Sequence, residues 1–214
     1  GEQSPYYRWY NFHPFPDEYD AWWGIKNLPA VNELEKSYVD YIIEGNNSII
    51  KRWLRAGASG WRLDVADELP DEFIAKIRAA MNEENPDTYL LGEVWEDGTT
   101  KIAYLLGGGA EYFRDSMEEL RENYPAPAFY GAMNFLSTHD TPRLLTILGL
   151  TSPAPQTRDE RAVYQLSDSD LARGMSLLKL AALILYTFPG SPMLYYGDEA
   201  GMQGFEDPFN RGTY

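Results

Sequence analysis

Four short apolar runs, each ending in polar or ionisable residues and most of them separated by helical periodicity, constrain this chain more than any other feature. The runs span residues 60–66 (GWRLDVA), 88–94 (TYLLGEV), 133–138 and 193–196. Helices are predicted over about 34–43 and 48–56, with Gly45 and Gly57 placed to end them. Pro70 opens another, with Asp71 and Glu72 in the first turn and Phe73, Ile74, Ile77 and Met81 on one face. Weaker helical signals cover 100–106 and 111–123, and a long one covers 168–187 before Pro189 and Gly190. Strands alternating with helices predict an α/β protein with a parallel sheet or barrel. Residues 1–30 are dense in aromatics and prolines without a period, which predicts packed loop.

Composition narrows the partners. With 33 Asp and Glu against 18 Lys and Arg, the net charge is -15, which repels phosphate backbones and anionic lipid. We therefore expect no nucleic acid and no membrane partner. The longest apolar run, 177–188, is interrupted by Lys179 and is too short to span a bilayer. There is no cysteine, which excludes disulfides and a thiol nucleophile and fits a cytoplasmic location. Sixteen Tyr, nine Phe and six Trp provide flat faces for neutral sugar rings or for a core.

The ionisable residues gather at the strand ends. The first run carries Arg62 and Asp64, followed by Asp67 and Glu68. The second carries Glu93, the third leads to His139 and Asp140, and the fourth to Asp198 and Glu199. Buried charge is costly, so acids at successive strand ends suggest a purpose. In a (β/α)8 barrel those ends form the catalytic face. Arg62 and Asp64 are two residues apart on one strand, hence on one side of it. An Arg beside a carboxylate favours the charged form that a nucleophile needs, while apolar neighbours such as Leu90 and Leu91 suit a carboxyl that must carry a proton. Retaining glycosidases separate such a pair by roughly 5–5.5 Å, and neighbouring strands lie about 4.8 Å apart. Each signal alone has a plainer meaning: an ion pair, a helix cap, a turn with an Asp cap. Together and in this order they are far more specific.

GWRLDVADEL (60–69), LLGEVW (90–95) and FLSTHD (135–140) resemble three short regions that define the α-amylase family of glycoside hydrolases. The resemblance implies Asp64 as nucleophile, Glu93 as general acid/base and Asp140 as the third carboxylate, which binds sugar hydroxyls. Arg62 would orient Asp64, and His139 would hydrogen-bond the sugar. VADE, ending at Glu68, is similar to the VANE of neopullulanases, cyclomaltodextrinases and maltogenic amylases, with Asp67 in place of the usual Asn. LPAVN (28–32) looks like that group's MPKLN. SPMLYYGDEAGM (191–202) and DPFNR (207–211) resemble its strand-eight segment and the loop after it, with Asp207 and Arg211 against donor-side sugars. Trp95 would stack near the acceptor side or pack in the core.

The implied fold is a (β/α)8 TIM barrel, partly represented. Residues 1–28 would be the tail of an inserted domain B, and residues 29–214 would hold strands 4, 5, 7 and 8, without strands 1–3. The step from Asp64 to Glu93 is 29 residues, one strand–helix unit, but Glu93 to Asp140 is only 47 where two units belong. Strand 6 is thus expected to be missing near 106–110. Asp140 to Asp198 is 58 residues, which predicts an inserted loop around 151–167. The chain then reads as an excerpt of a larger enzyme that cleaves α-glucosidic bonds in starch, pullulan, cyclodextrins or maltooligosaccharides. No cofactor is required. Calcium is left undecided, and a homodimer of the parent protein is compatible with the resemblance. The alternatives are a non-catalytic amylase-like barrel that binds sugar or protein, and a metal-dependent hydrolase. The latter is disfavoured by having only two histidines, His13 and His139, and no HxH or HExxH pattern.

Overall fold

Among the described residues, two pairs of parallel strands carry the fold, one in each of two units, Gly1–Asp97 and Gly98–Tyr214. The computed structural model describes residues 1–94 and 110–213; Trp95 and the helix expected over 100–106 lie outside them.

In the first unit, β1 (Gly60–Leu63) and β2 (Tyr89–Gly92) pair in parallel, with Gly60 opposite Tyr89 and Leu63 opposite Gly92. Helix α1 (Lys36–Val39) runs on into a wider π-type turn over Asp40–Glu44. That turn closes on Gly45, where a β-carbon would sit 2.4 Å from the Asp40 carbonyl oxygen. Helix α2 (Ile49–Arg55) starts at Ser48, whose hydroxyl accepts from the Lys51 N–H. Helix α3 (Asp71–Glu84) joins the two strands, and Arg78 ties it to the start of β2 by donating to the Thr88 carbonyl at 2.8 Å.

The predicted apolar stripe of α3 is the heart of this unit. Phe73, Ile77, Ala80 and Met81 are buried together with Val39, Ile43 and Ile50, and Trp61, Leu63 and Leu90 pack against them. Trp61 and Leu63 thus occupy the helix-facing side of β1, and strand alternation turns Arg62 to the other. The N-terminal segment is loop, as expected, held by isolated antiparallel bridges Tyr10–Val31, Phe12–Tyr19 and Ala21–Pro29. Ring contacts knit it together, with Phe12 4.8 Å from Phe15 and 5.1 Å from Tyr7.

In the second unit, helices α4 (Ala110–Asn123) and α5 (Ala126–Gly131) precede β3 (Met133–Asn134). Then come α6 (Leu144–Gly149), α7 (Arg158–Val163), α8 (Asp168–Thr187) and β4 (Ser191–Pro192). Strands β3 and β4 are parallel, Met133 opposite Ser191. Helix α8 has the predicted bounds, with Ser167 accepting from the Asp170 N–H. It crosses α6 closely: a β-carbon on Gly174 would lie 3.0 Å from the Gly149 α-carbon. Leu144, Leu148 and Ala181 form the buried seam.

Three expectations shift. Strand β3 stops at Asn134 instead of 138, and side-chain bonds then fold residues 138–141 into a turn: Thr138 N–H donates to Thr141 Oγ1 and Asp140 N–H to Thr138 Oγ1, each at 3.2 Å. Strand β4 pairs over 191–192, and after the Met193 N–H reaches the Asn134 carbonyl the predicted strand 193–196 continues as loop. The region expected as an inserted loop holds α7, started by a capping box between Thr157 and Glu160. Among the described residues no helix is long and apolar enough to cross a membrane.

Ile77 is 1% exposed at the centre of the first core. Ile77→Ala is expected to lower the unfolding free energy by about 2–5 kcal/mol, read by chemical denaturation.

Candidate active site

Strand register brings two acids side by side. Extending the β1–β2 pairing by one residue sets Asp64 opposite Glu93: the Glu93 N–H still donates to the Leu63 carbonyl at 2.9 Å, and the ladder then breaks, the Glu93 carbonyl accepting the Ala66 N–H at 2.8 Å while the Val65 N–H turns to the Glu93 side chain. Residues in register on neighbouring parallel strands point the same way, about 4.8 Å apart.

Arg62 joins them. One arm of its guanidinium donates to Asp64 Oδ1, and the other reaches Glu93 Oε1 at 2.9 Å. The second Glu93 oxygen accepts the Val65 N–H at 3.0 Å. That N–H is aimed by a left-handed backbone at Val65 (φ 45, ψ 52), a conformation that costs a β-branched residue about 1–3 kcal/mol. The immediate partners of the Glu93 carboxyl are therefore a guanidinium and a backbone N–H, not the apolar side chains of Leu90 and Leu91 that its sequence neighbours suggested. Gly92 lets the strand end approach the turn, since a β-carbon there would lie 2.9 Å from Ala66 Cβ. Asp64 is 74% exposed and Glu93 22%, so the two carboxyls differ in access to solvent.

Glu68 ends the turn Ala66–Glu68 that follows Asp64. Its two oxygens accept the indole N–H groups of Trp22 and Trp23, at 2.8 and 3.0 Å. The sequence pointed to Glu68 but gave no sign of these partners, 45 and 46 residues upstream.

The second unit holds the other predicted residues. His139 Nε2 lies 3.0 Å from Asp140 Oδ2, Arg211 Nη2 lies 3.9 Å from Asp140 Oδ1, and Arg211 Nε is 2.8 Å from Asp207 Oδ1. His139, Asp140, Asp207 and Arg211 thus form one exposed cluster. Two residues that sequence reasoning missed support it. The amide of Asn210, fully buried, donates to the carbonyls of Thr138, His139 and Thr141 at 3.3, 2.7 and 2.8 Å. Arg143, also fully buried, donates to the Asn210 and Tyr196 carbonyls and to Asp198 Oδ1 (3.1 Å), and its guanidinium lies 4.2 and 4.7 Å from the ring centroids of Tyr195 and Tyr196. The sequence signal was present: Arg143 follows HDTP, and Asn210 sits inside DPFNR.

Asp198, which the sequence grouped with the strand-end acids, is the buried partner of Arg143. Burial pushes its carboxyl above the ordinary value, and the Arg143 hydrogen bond and charge pull against that rise. Among the described residues no three His, Asp or Glu side chains converge as metal ligands.

No protein-family model matches the sequence. Over 254 aligned residues the chain is 34% identical to an amylopullulanase of Thermoanaerobacter thermohydrosulfuricus, covering 99% of this chain and 17% of that protein. It is 31% identical to a cyclomaltodextrinase of Geobacillus thermopakistaniensis, covering 97% of this chain and 35% of that protein. A ligand-free cyclic α-maltosyl-(1→6)-maltose hydrolase from Arthrobacter globiformis superposes with a TM-score of 0.74 at 25% identity, over 98% of this chain and 48% of its own. The chain therefore spans about a sixth to a half of these relatives' lengths. The 254-residue alignment is longer than the 214-residue chain, so the amylopullulanase carries residues within it that this chain lacks.

Arg143→Met leaves Asp198 buried without its cation. A loss of about 3–5 kcal/mol in unfolding free energy is expected. Arg143→Met combined with Asp198→Asn should lose clearly less than the sum of the two single changes, by denaturant titration of all three variants.

Proposed function

The chain belongs to the α-amylase family, alongside amylopullulanases, cyclomaltodextrinases and maltogenic amylases, and from that premise we propose that it carries the reacting carboxyls of a retaining α-glucan hydrolase. The observation that carries this reading is the pairing of Asp64 and Glu93 at neighbouring strand ends on the two arms of Arg62. Carboxyls starting from backbones about 4.8 Å apart suit the roughly 5–5.5 Å separation of a double-displacement enzyme.

In this mechanism Glu93 gives its proton to the glycosidic oxygen while the Asp64 carboxylate attacks the anomeric carbon. The bond to the leaving sugar breaks, and a covalent glucosyl ester forms on Asp64. Glu93, now a carboxylate, takes a proton from water or from a sugar hydroxyl, which attacks the same carbon and releases Asp64 with retained α configuration. Arg62 orients both acids. On the strength of FLSTHD and DPFNR, Asp140 and His139 take sugar hydroxyls, and Asp207 and Arg211 take donor-side sugar. Residues 1–28 are proposed as the tail of an inserted domain, and residues 29–214 as the part of a barrel that holds strands 4, 5, 7 and 8. The substrates proposed are α-glucans such as pullulan, starch, cyclodextrins and maltooligosaccharides.

In the full-length protein, Asp64→Asn is expected to cut reducing-sugar release from these glucans by about 10³-fold or more, with circular dichroism and melting unchanged. Wild-type-like rates would refute the assignment. Glu93→Gln should lose about as much on pullulan but far less on an α-glucosyl fluoride, whose leaving group needs no proton. Equal losses on both substrates would remove Glu93 from the acid role.

A further inference from the structure

The carboxylate of Glu68 leads to a second feature of the first unit. Trp22 and Trp23 stack face to face, with ring centroids 4.5 Å apart and planes 14° from parallel. Adjacent residues in extended chain point to opposite sides, so this stacking needs an unusual backbone. Trp23 provides it, with φ 50 and ψ 26, a left-handed conformation that disfavours any residue with a β-carbon. Such strain persists only where surrounding bonds hold it, and it concentrates at ligand sites. Here the bonds are visible. One carboxylate receives both indole N–H groups. The loop is closed by the Tyr19 hydroxyl donating to the Lys26 carbonyl at 2.6 Å and by the Trp22 N–H donating to the Leu28 carbonyl at 2.9 Å.

The result is a rigid aromatic plate with no polar group to spare. Trp23 is 70% exposed although one of its faces lies against Trp22. An indole so exposed, with its N–H already bonded, offers its electron-rich ring face, which takes C–H groups. The ligand that suits such a face is flat, uncharged and lined with C–H groups. A pyranose ring fits that description, and an acidic protein of net charge -15 disfavours an anionic alternative. The plate is also tethered to the proposed reacting acids. Glu68 closes the turn Ala66–Glu68 just after Asp64, and the Ala66 N–H is bonded to the Glu93 carbonyl.

We propose that Trp22 and Trp23 form a sugar-stacking subsite for a glucosyl unit of the α-glucan chain. Glu68 is its positioning residue, acting through the two indoles instead of touching sugar itself. This inference rests on the α-glucan reading above and adds to it a binding contact in the loop over residues 19–28.

The test uses the full-length protein carrying Asp64→Asn, so that intact maltohexaose can be bound without turnover, with titration by calorimetry. Adding Trp23→Ala is expected to weaken maltohexaose binding roughly tenfold, whereas Trp23→Phe, which keeps a ring face, should stay within about threefold. Adding Glu68→Gln puts an N–H donor against one indole N–H. It should weaken binding and also reduce the exciton signal of the stacked indoles in circular dichroism, which Trp23→Ala abolishes. Unchanged affinity in the Trp23→Ala variant would overturn the proposal, and so would a fall in melting temperature with no change in affinity, which marks the plate as a packing surface. Glu68→Gln that weakens binding while leaving the indole signal intact would overturn the positioning role. Failure of the hydrolase reading is separate: it shows as no sugar release by the protein with Asp64 intact, while the maltohexaose titration still decides the stacking site.

Discussion

The first unit is organised around one guanidinium group. Arg62 has two arms in a rigid plane, and each takes a different acid, Asp64 from its own strand and Glu93 from the neighbour. Parallel pairing makes this possible, because register sets Asp64 opposite Glu93 and turns both away from the helix-packed face. The packing of α3 on the opposite side, through Phe73, Ile77 and Met81, holds the sheet to which Arg62 belongs. Loss of that core would release the register, and with it the placement of both carboxyls.

The second unit reaches a similar end by burying its cation. Arg143 lies under the loop of His139 and Asp140, bonded to the loop of residues 196–210 through carbonyls and through Asp198. Asn210 completes the link from the other side with three donations to residues 138–141. Exposed polar groups are thus held in place by buried polar groups beneath the same loops. A buried Arg without Asp198 would be strongly unfavourable, which makes this pair a matter of necessity once Arg143 is inside.

Much of this was legible in the sequence. Helix α8 and the apolar stripe of α3 follow from periodicity, and the acids at the first two strand ends from pattern and family resemblance. Other elements were hidden for identifiable reasons. Helix α6 is buried on nearly every side, so LLTILG shows no polar face by which to recognise a helix. The third and fourth strands look longer in sequence than they are: they pair only over 133–134 and 191–192, and a tertiary pairing leaves no local mark of its length in the pattern. Asp198 and Glu93 are both acids after apolar runs, yet one is a buried counter-ion and the other is bonded beside Asp64.

Residue type and local spacing determined which groups could do acid–base chemistry, and which stretches would be helix or strand, since both depend on neighbours a few residues away. Only tertiary structure decided which partner each polar group found. Glu68 meets indoles 45 and 46 residues upstream, Arg143 meets a carboxylate 55 residues downstream, and Arg62 divides itself between two strands. A hydrogen bond depends on distance and angle in space, and chain folding brings together atoms whose separation along the sequence carries no record of that meeting.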